Sequence, residues 1–396
     1  MSGVLGPKHP GVRLSYGTAG FRAKAELLDS TFFRMGALAT LRSRARNGLA
    51  VGLMVTASHN PEPDNGIKLI DPDGGMLDMS WEAHASTLAD AADGAFAEKL
   101  TDLATALGVS TESGACRVLV ARDTRAHSER LAQLALSGVA QLGGASEECG
   151  VLTTPQLHHI VRHANGPAAA GPHVGPSTWA SESGYYEMLS SAFTSLVPPS
   201  LASGRGVLWV DAACGVGSLA LARLQESMGD ALTLKIANQV GDGELNAGCG
   251  AEFVQKGRLP PRGQTSPIGH SPGSQGDSRA CSLDGDADRI VYHYWRTQQS
   301  DEGAIRVGEK RSSSDAAGEN QRSSEWRLLD GDKLAALFAS FLTEEVAALG
   351  LSGTLSMAVV QTAYANGASG RYIRSLGVPL RLAKTGVKHV HHVAIE

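Results

Sequence analysis

Asp284, Asp286 and Asp288 recur at every second position of "SLDGDADRIVYHYW". In an extended or tightly looped backbone, alternate side chains face one side, so three carboxylates can converge. Three such anions repel one another, and a hard divalent cation with oxygen ligands relieves that repulsion. A polar turn between strands is the plainer alternative, given Gly285 and the apolar runs on either side. A calcium EF-hand is excluded, because it needs Gly at its sixth position and Glu at its twelfth. Those positions hold Arg289 and Trp295. A magnesium site that keeps room for an external oxygen fits better.

A second stretch, "VTASHNPEPDNGIK" from Val55 to Lys68, runs an apolar strand pattern into Thr56-Ala57-Ser58-His59-Asn60 before Pro61 stops it. Ser58 does not sit on a hydrolase elbow, since its neighbours read A-S-H and not G-x-S-x-G. A phosphorylated Ser58 beside magnesium would itself be a phosphoryl donor. Phosphoserine brings a charge of about −2, the aspartates add three more, and Mg²⁺ returns two, so cations must surround the site. Arg289 follows the last aspartate, Lys68 closes the serine stretch, and Arg22 ends "YGTAGFR". Taken singly, each reads as a surface charge. Together they suit phosphoryl transfer, where positioning and electrostatics carry most of the catalysis.

The elements that would position these residues alternate between apolar runs and helical patterns. Val51–Val55, Val118–Ala121, Val207–Val210, Leu232–Ala237, Leu355–Val360 and Val378–Ala383 read as strands. Ser128–Leu142, Ser218–Met228 and the Leu334–Val346 run keep helical spacing. Such repeated units predict α/β layers with mostly parallel sheets. At 396 residues the chain is long enough for two to three domains. Ala164–Gly184, Lys256–Ala280 and Thr297–Glu325 are rich in Gly, Pro, Ser or charge and read as loop insertions. "WVDAACGVGSLA" matches G-x-G-x-x-A at Gly215, Gly217 and Ala220. The acidic residue that should close the next strand of a dinucleotide fold is missing, so a tight strand–helix turn is the preferred reading.

A net charge of −5 gives no footprint for nucleic acid. Five separated cysteines, with no CxxC pair, read as reduced thiols. Adjacent histidines, as at 158–159 and 391–392, point apart and argue against zinc. With no eighteen-residue apolar run and no apolar leader, a cytoplasmic protein without membrane contact is expected.

"TASHNP", "DGDADR" and "YGTAGFR" together resemble the α-D-phosphohexomutase superfamily. "VLTTPQLH" (Val151–His158), "LLDGDK" (Leu328–Lys333), "VVQTAYANGAS" (Val359–Ser369) and "AKTGVKHVHH" (Ala383–His392) are similar to its acetylglucosamine-phosphate branch. The resemblance runs from about Tyr16 to the last residues. It implies consecutive α/β domains with mixed, mostly parallel sheets, and a monomer acting on small-molecule sugar phosphates. The implied reaction interconverts N-acetylglucosamine 6-phosphate and 1-phosphate on the way to the UDP-sugar, through a phosphoserine and a bisphosphate intermediate. Carried over, Ser58 is the phosphoserine and also touches Mg²⁺, with Asp284, Asp286 and Asp288 as further ligands. His59, Asn60, Lys68, Arg22 and Arg289 line the phosphoryl site, and Lys384, Lys388 and His389 approach the sugar.

Family members have four domains, and the sugar loop of the third and the phosphate grip of the fourth are not found here. The resulting expectation is a first domain over 1–195, a second over 196–300 and an incomplete third over 301–396, with little turnover. A non-catalytic form binding Mg²⁺ or sugar phosphate, and a glucose- or mannose-phosphate mutase, are the alternatives.

Overall fold

Ala50–Val55 is buried at every position, which is why an apolar run without alternation forms a central strand here. In the computed structural model, residues 7–171, 174–197, 207–264, 278–297 and 324–395 are described. The first sheet contains β1 (Phe21–Lys24), β2 (Ala50–Val55), β3 (Asp64–Ile70), β4 (Arg117–Arg122) and β5 (Ala145–Val151). Its spatial order is β1-β3-β2-β4-β5, with β2, β4 and β5 parallel and β3 antiparallel to its neighbours. Helices Asp29–Ala45 and Ser128–Gln141 pack beside one another in the main core, with Phe32, Leu38, Leu53, Val118 and Leu131 buried among them. Their backbones nearly touch. A Cβ on Gly36 would lie 1.9 Å from the Ala135 carbonyl oxygen, and one on Gly138 would lie 1.9 Å from that of Phe33. Helix Thr154–Asn165 packs with Met54, Leu119, Leu157 and Val161 in a second cluster.

The second sheet repeats the plan, with β6 (Val207–Asp211), β7 (Thr233–Ala237), β8 (Ser278–Leu283), β9 (Ile290–Thr297) and β10 (Ser324–Leu329). Its order is β10-β9-β8-β6-β7; β8, β6 and β7 are parallel, and β9 is antiparallel to both neighbours. β10 lies beyond residue 300, where a third unit was expected to begin, yet its pairing joins it to the second sheet. Residues 331–395 then supply helices Gly331–Ala348, Gly367–Ser375 and Val387–Ile395 around a parallel pair, β11 (Val359–Thr362) and β12 (Leu380–Ala383).

Three expectations need correction. Ala164–Gly184 is not a plain loop: it holds helix Pro167–Ala170, a 3-10 turn at Ser177–Trp179 and the start of helix Glu182–Leu196. Trp179 organises it, contacting the His163 ring and accepting a hydrogen bond from His159 at its carbonyl, while Ser181 caps the helix that follows. The strand expected at Leu355–Val360 begins only at Val359, and that expected at Val378–Ala383 only at Leu380. Pro379 accepts from the Val359 N–H but has no N–H to extend the ladder. Of the other two expected insertions, residues 265–277 and 298–323 lie outside the described residues. Cys214, Cys249 and Cys281 are buried free thiols, and Cys116 and Cys149 are partly covered. No described helix is long and apolar enough to cross a membrane.

Candidate active site

The serine loop leaves β2 and returns through β3, and its backbone is held in an unusual shape. Ser58 is almost fully buried and has φ +51°, in the left-handed region. That conformation costs a non-glycine residue about 1–2 kcal/mol, so the surroundings must enforce it. The Thr56 hydroxyl accepts the Ser58 N–H at 2.9 Å. Arg125, itself buried, follows β4 and donates to the carbonyls of Ser58 and Asn60 at 3.0 and 2.9 Å, and to that of Pro61 at 2.7 Å. Asp123 orients the guanidinium at 3.0 Å.

The acidic loop is the turn between the antiparallel strands β8 and β9. Asp284 Oδ1 accepts the N–H groups of Asp288 and Arg289, each at 3.1 Å, so the first carboxylate folds its own loop. Ser58 Oγ donates to Asp284 Oδ2 at 2.6 Å. Lys68, on β3, donates to Asp286 and Asp288 at 2.8 and 2.9 Å. Thr154, at the first turn of its helix, donates its hydroxyl to Asp286 at 2.6 Å and its N–H to the Asp286 carbonyl at 3.0 Å. A helix N-terminus favours such an anion. Gly285 is required for this closure: an added Cβ would lie 2.5 Å from the Ser58 carbonyl oxygen. Gly215, read in the sequence as a tight turn, serves the same contact, since a Cβ there would lie 2.4 Å from the Gly285 carbonyl oxygen.

One oxygen from each of the three aspartates lies within 4.8 Å of the others. Burial, then the charges of Asp286 and Asp288, push the Asp284 carboxyl up to about 7. Burial also opposes ionisation of Asp286, but the Lys68 charge and the hydrogen bonds of Lys68 and Thr154 hold it well below the usual carboxylate range. Asp286 Oδ1 is buried without a hydrogen-bond partner. A hard cation answers both the crowding and that orphan oxygen, so the donor set fits Mg²⁺.

Two arginines stand close to Ser58. Arg289 Nε donates to Asp284 at 2.9 Å and Nη1 to Glu252 at 2.7 Å, while its Nη2 is buried with no partner. Arg22 Nη1 lies 3.3 Å from the Asn60 side-chain oxygen and 3.5 Å from His59 Nδ1, and its Nε is likewise buried and unpartnered. Burial, then Arg289, push the His59 imidazole down to about 4. His59 Nδ1 is 3.4 Å from Ser58 Oγ. A cleft of about 640 Å³ opens beside Arg289 and Glu252, and is walled opposite by Asp330, Asp332, Tyr364 and Asn366.

Ser58, His59, Asn60, Lys68, Arg22, Arg289 and the three aspartates thus come together as the sequence suggested. The other three expected residues do not. Lys388 donates to both oxygens of Glu82, at 2.7 and 2.6 Å, on a helix of the first unit. Lys384 is exposed after β12, and His389 is half-buried in the terminal helix. None of them lines the cleft beside Arg289. The physical reason is that helix Val387–Ile395 docks on the first unit, where Val387 and His391 line a second cavity, of about 300 Å³, whose wall also includes Lys68, Thr154 and Asp288.

Sequence reasoning also missed four residues, Arg125, Thr154, Asn246 and Glu252. Thr154 carried a signal, because Thr153 and Gln156 form a capping box that announces a helix start at that point. Arg125 follows a strand directly in "ARDTR", but nothing local marks it as a loop template. Asn246 and Glu252 carried none.

Two family models match parts of the chain. Residues 29–93 and 86–178 match "phosphoglucomutase/phosphomannomutase, alpha/beta/alpha domain I", and residues 330–396 match "phosphoacetylglucosamine mutase AMG1, domain III". Phosphoacetylglucosamine mutase 1 of Schizosaccharomyces pombe is 36% identical over 97% of this chain and 67% of its own length. The chain belongs to the phosphoacetylglucosamine mutase family. The human phosphoacetylglucosamine mutase is 43% identical over 99% of this chain, which spans 65% of that relative's length. Among solved structures, an N-acetylglucosamine-phosphate mutase in its apo form is 34% identical, with a TM-score of 0.79 over 98% of this chain and 76% of that one. The Aspergillus fumigatus N-acetylphosphoglucosamine mutase, solved with GlcNAc-6P and magnesium, is 39% identical, with a TM-score of 0.78 over 97% of this chain and 65% of its own.

Proposed function

We propose that this chain carries the phosphoserine and metal centre of an enzyme interconverting N-acetylglucosamine 6-phosphate and 1-phosphate, a step supplying UDP-N-acetylglucosamine. The observation that carries this reading is the 2.6 Å hydrogen bond from Ser58 Oγ to Asp284, within a group of three aspartates braced by Lys68. Membership of the family and the ligands of the Aspergillus relative support the choice of sugar and metal.

In this reading Ser58 carries the exchangeable phosphoryl group. Asp284, Asp286, Asp288 and an oxygen on Ser58 would hold Mg²⁺, which when bound supplies positive charge at the transferring group. The free N–H groups of Arg22 and Arg289 are the donors for phosphoryl oxygens, in charge-assisted hydrogen bonds. His59, neutral at pH 7, donates or accepts beside Ser58 without adding charge. Lys68 keeps Asp286 ionised and pairs with Asp288 as well. In transfer to the sugar, the phosphorus–oxygen bond to Ser58 breaks as one to a sugar hydroxyl forms, and that hydroxyl's proton is balanced by the one Ser58 regains. The cleft beside Arg289 is the sugar's place, with Tyr364 and Asn366 facing it.

The test is intact mass of the purified chain after incubation with a hexose 1,6-bisphosphate and Mg²⁺, with and without phosphatase. One phosphoryl group on Ser58, absent in Ser58→Ala, is the expected result. Phosphorylation elsewhere, or undiminished labelling of Ser58→Ala, would refute the assignment.

A further inference from the structure

Asn246 belongs to none of the motifs above, yet its side chain reaches the serine loop from the other sheet. Its Nδ2 donates to the carbonyls of Ser58 and Asn60 at 3.0 and 3.2 Å. These are the same two carbonyls that Arg125 engages from the first unit at 3.0 and 2.9 Å. A carbonyl oxygen has two lone pairs, so at each of these positions one donor comes from each unit. Asn246 is fixed in turn. Its N–H donates to Ala213 at 2.9 Å, in the turn that follows β6, and it adopts φ +62°, which asparagine tolerates better than most residues. Gly285 lies directly on the Ser58 carbonyl, and a Cβ added there would also stand 3.0 Å from Asn246 Nδ2.

We infer that Asn246 is a positioning residue for phosphoryl transfer: it locks the left-handed Ser58 against the acidic loop by closing the Ser58–Asn60 carbonyl pair from the second unit. The inference rests on the phosphoryl-transfer reading for its catalytic consequence, though not for the joint itself. Two side chains would serve where an apolar contact would not, because the joint sets direction as well as distance. A misplacement of about 1 Å at a reacting group can lower a rate about 100-fold.

Two variants separate amide from backbone. Asn246→Gly keeps the freedom to adopt positive φ and loses both donors. Asn246→Asp keeps the shape and sets a carboxylate oxygen against two carbonyl oxygens. Each is measured by backbone amide exchange across residues 56–62 and by the rate at which Ser58 takes a phosphoryl group from saturating hexose 1,6-bisphosphate with Mg²⁺. Calorimetric Mg²⁺ affinity and exchange in β4 and β6 serve as controls. The expected result is about tenfold faster exchange in the serine loop, as for loss of one or two hydrogen bonds, and uptake about 100-fold slower. Metal affinity and strand exchange stay near wild type. Unchanged loop exchange, wild-type uptake with a loosened loop, or equal acceleration throughout the second sheet would each overturn the inference. If the wild-type chain takes up no phosphoryl group, it is the transfer reading that fails, and the exchange arm still decides whether Asn246 holds the loop.

Discussion

The Lys68 ammonium sits between Asp286 and Asp288, 2.8 Å from one carboxylate and 2.9 Å from the other, although the lysine lies in the first sheet and both aspartates in a loop of the second. It is nearly buried, and so is Asp286. A single lysine thus offsets much of the repulsion that gathers around the acidic loop.

Lys68→Met should therefore leave two carboxylates facing each other without their counter-charge. Removing one partner of a buried pair costs about 3–5 kcal/mol. Urea denaturation at pH 7 without Mg²⁺ should register a loss toward that range. Added Mg²⁺ should restore more stability to the variant than it adds to wild type; an equal gain in both would show that Lys68 and the metal do not share a task.

Thr154→Val removes the 2.6 Å hydroxyl bond to Asp286 while keeping the side chain's shape. Partners of a metal ligand typically contribute 10–100-fold in affinity, and a loss of about that size is expected by calorimetry. Asp286→Asn should lose more, since it removes the carboxylate with the orphan oxygen itself. The reverse order of the two variants would mean that Asp286 serves the fold and not the cation.

The contrast between Asp286 and Thr154 also marks what was legible in the sequence. Alternating aspartates, and a serine on a strand-end tip before a proline, leave a local trace because period-two geometry acts over neighbouring residues. The central strands were legible for the same reason, as short apolar runs between turn residues. Lys388 was not, because its side chain is decided by Glu82, a partner 306 positions away. Asn246 and Arg125 were silent because they act on backbone carbonyls, which every residue has. The stretch around Trp179 was misread because its composition is small and polar, and a single indole overrode it.

Gly285→Ala tests the closeness of the two loops. The new methyl would meet the Ser58 carbonyl oxygen at 2.5 Å, and the loops must part to admit it. Overpacking of this kind costs about 1–3 kcal/mol. Phosphoryl uptake by Ser58 should fall steeply while the far-ultraviolet circular dichroism stays that of an α/β protein. Retained uptake would mean that the contact is incidental.

Stability should also fall on the acid side through His293. Its ring is buried on β9, bonded to the Ser282 hydroxyl at 3.1 Å and packed against Trp326. Burial pushes its pKa from 6.5 down to about 4. The unfolded chain therefore takes up a proton below about pH 6.5 that the folded chain refuses until about pH 4. This contribution is complete above pH 6.5 and is lost as the pH falls through that window, on the order of 3 kcal/mol in all. His293→Gln should flatten the slope of unfolding free energy between pH 6.5 and 4.5. A slope identical to wild type would assign the acid sensitivity to other groups.

Asp286 comes 218 residues after Lys68, and the first sheet is complete long before it. Domains generally fold from the N-terminus as the chain is made. Lys68 and the left-handed Ser58 must then wait on a finished surface, hydrated, until the ribosome has delivered the acidic loop. Docking the second sheet strips water from both. The centre is thus acquired well after the first sheet is complete, and a pause or a cut between the sheets would leave a folded first unit with no chemistry in it.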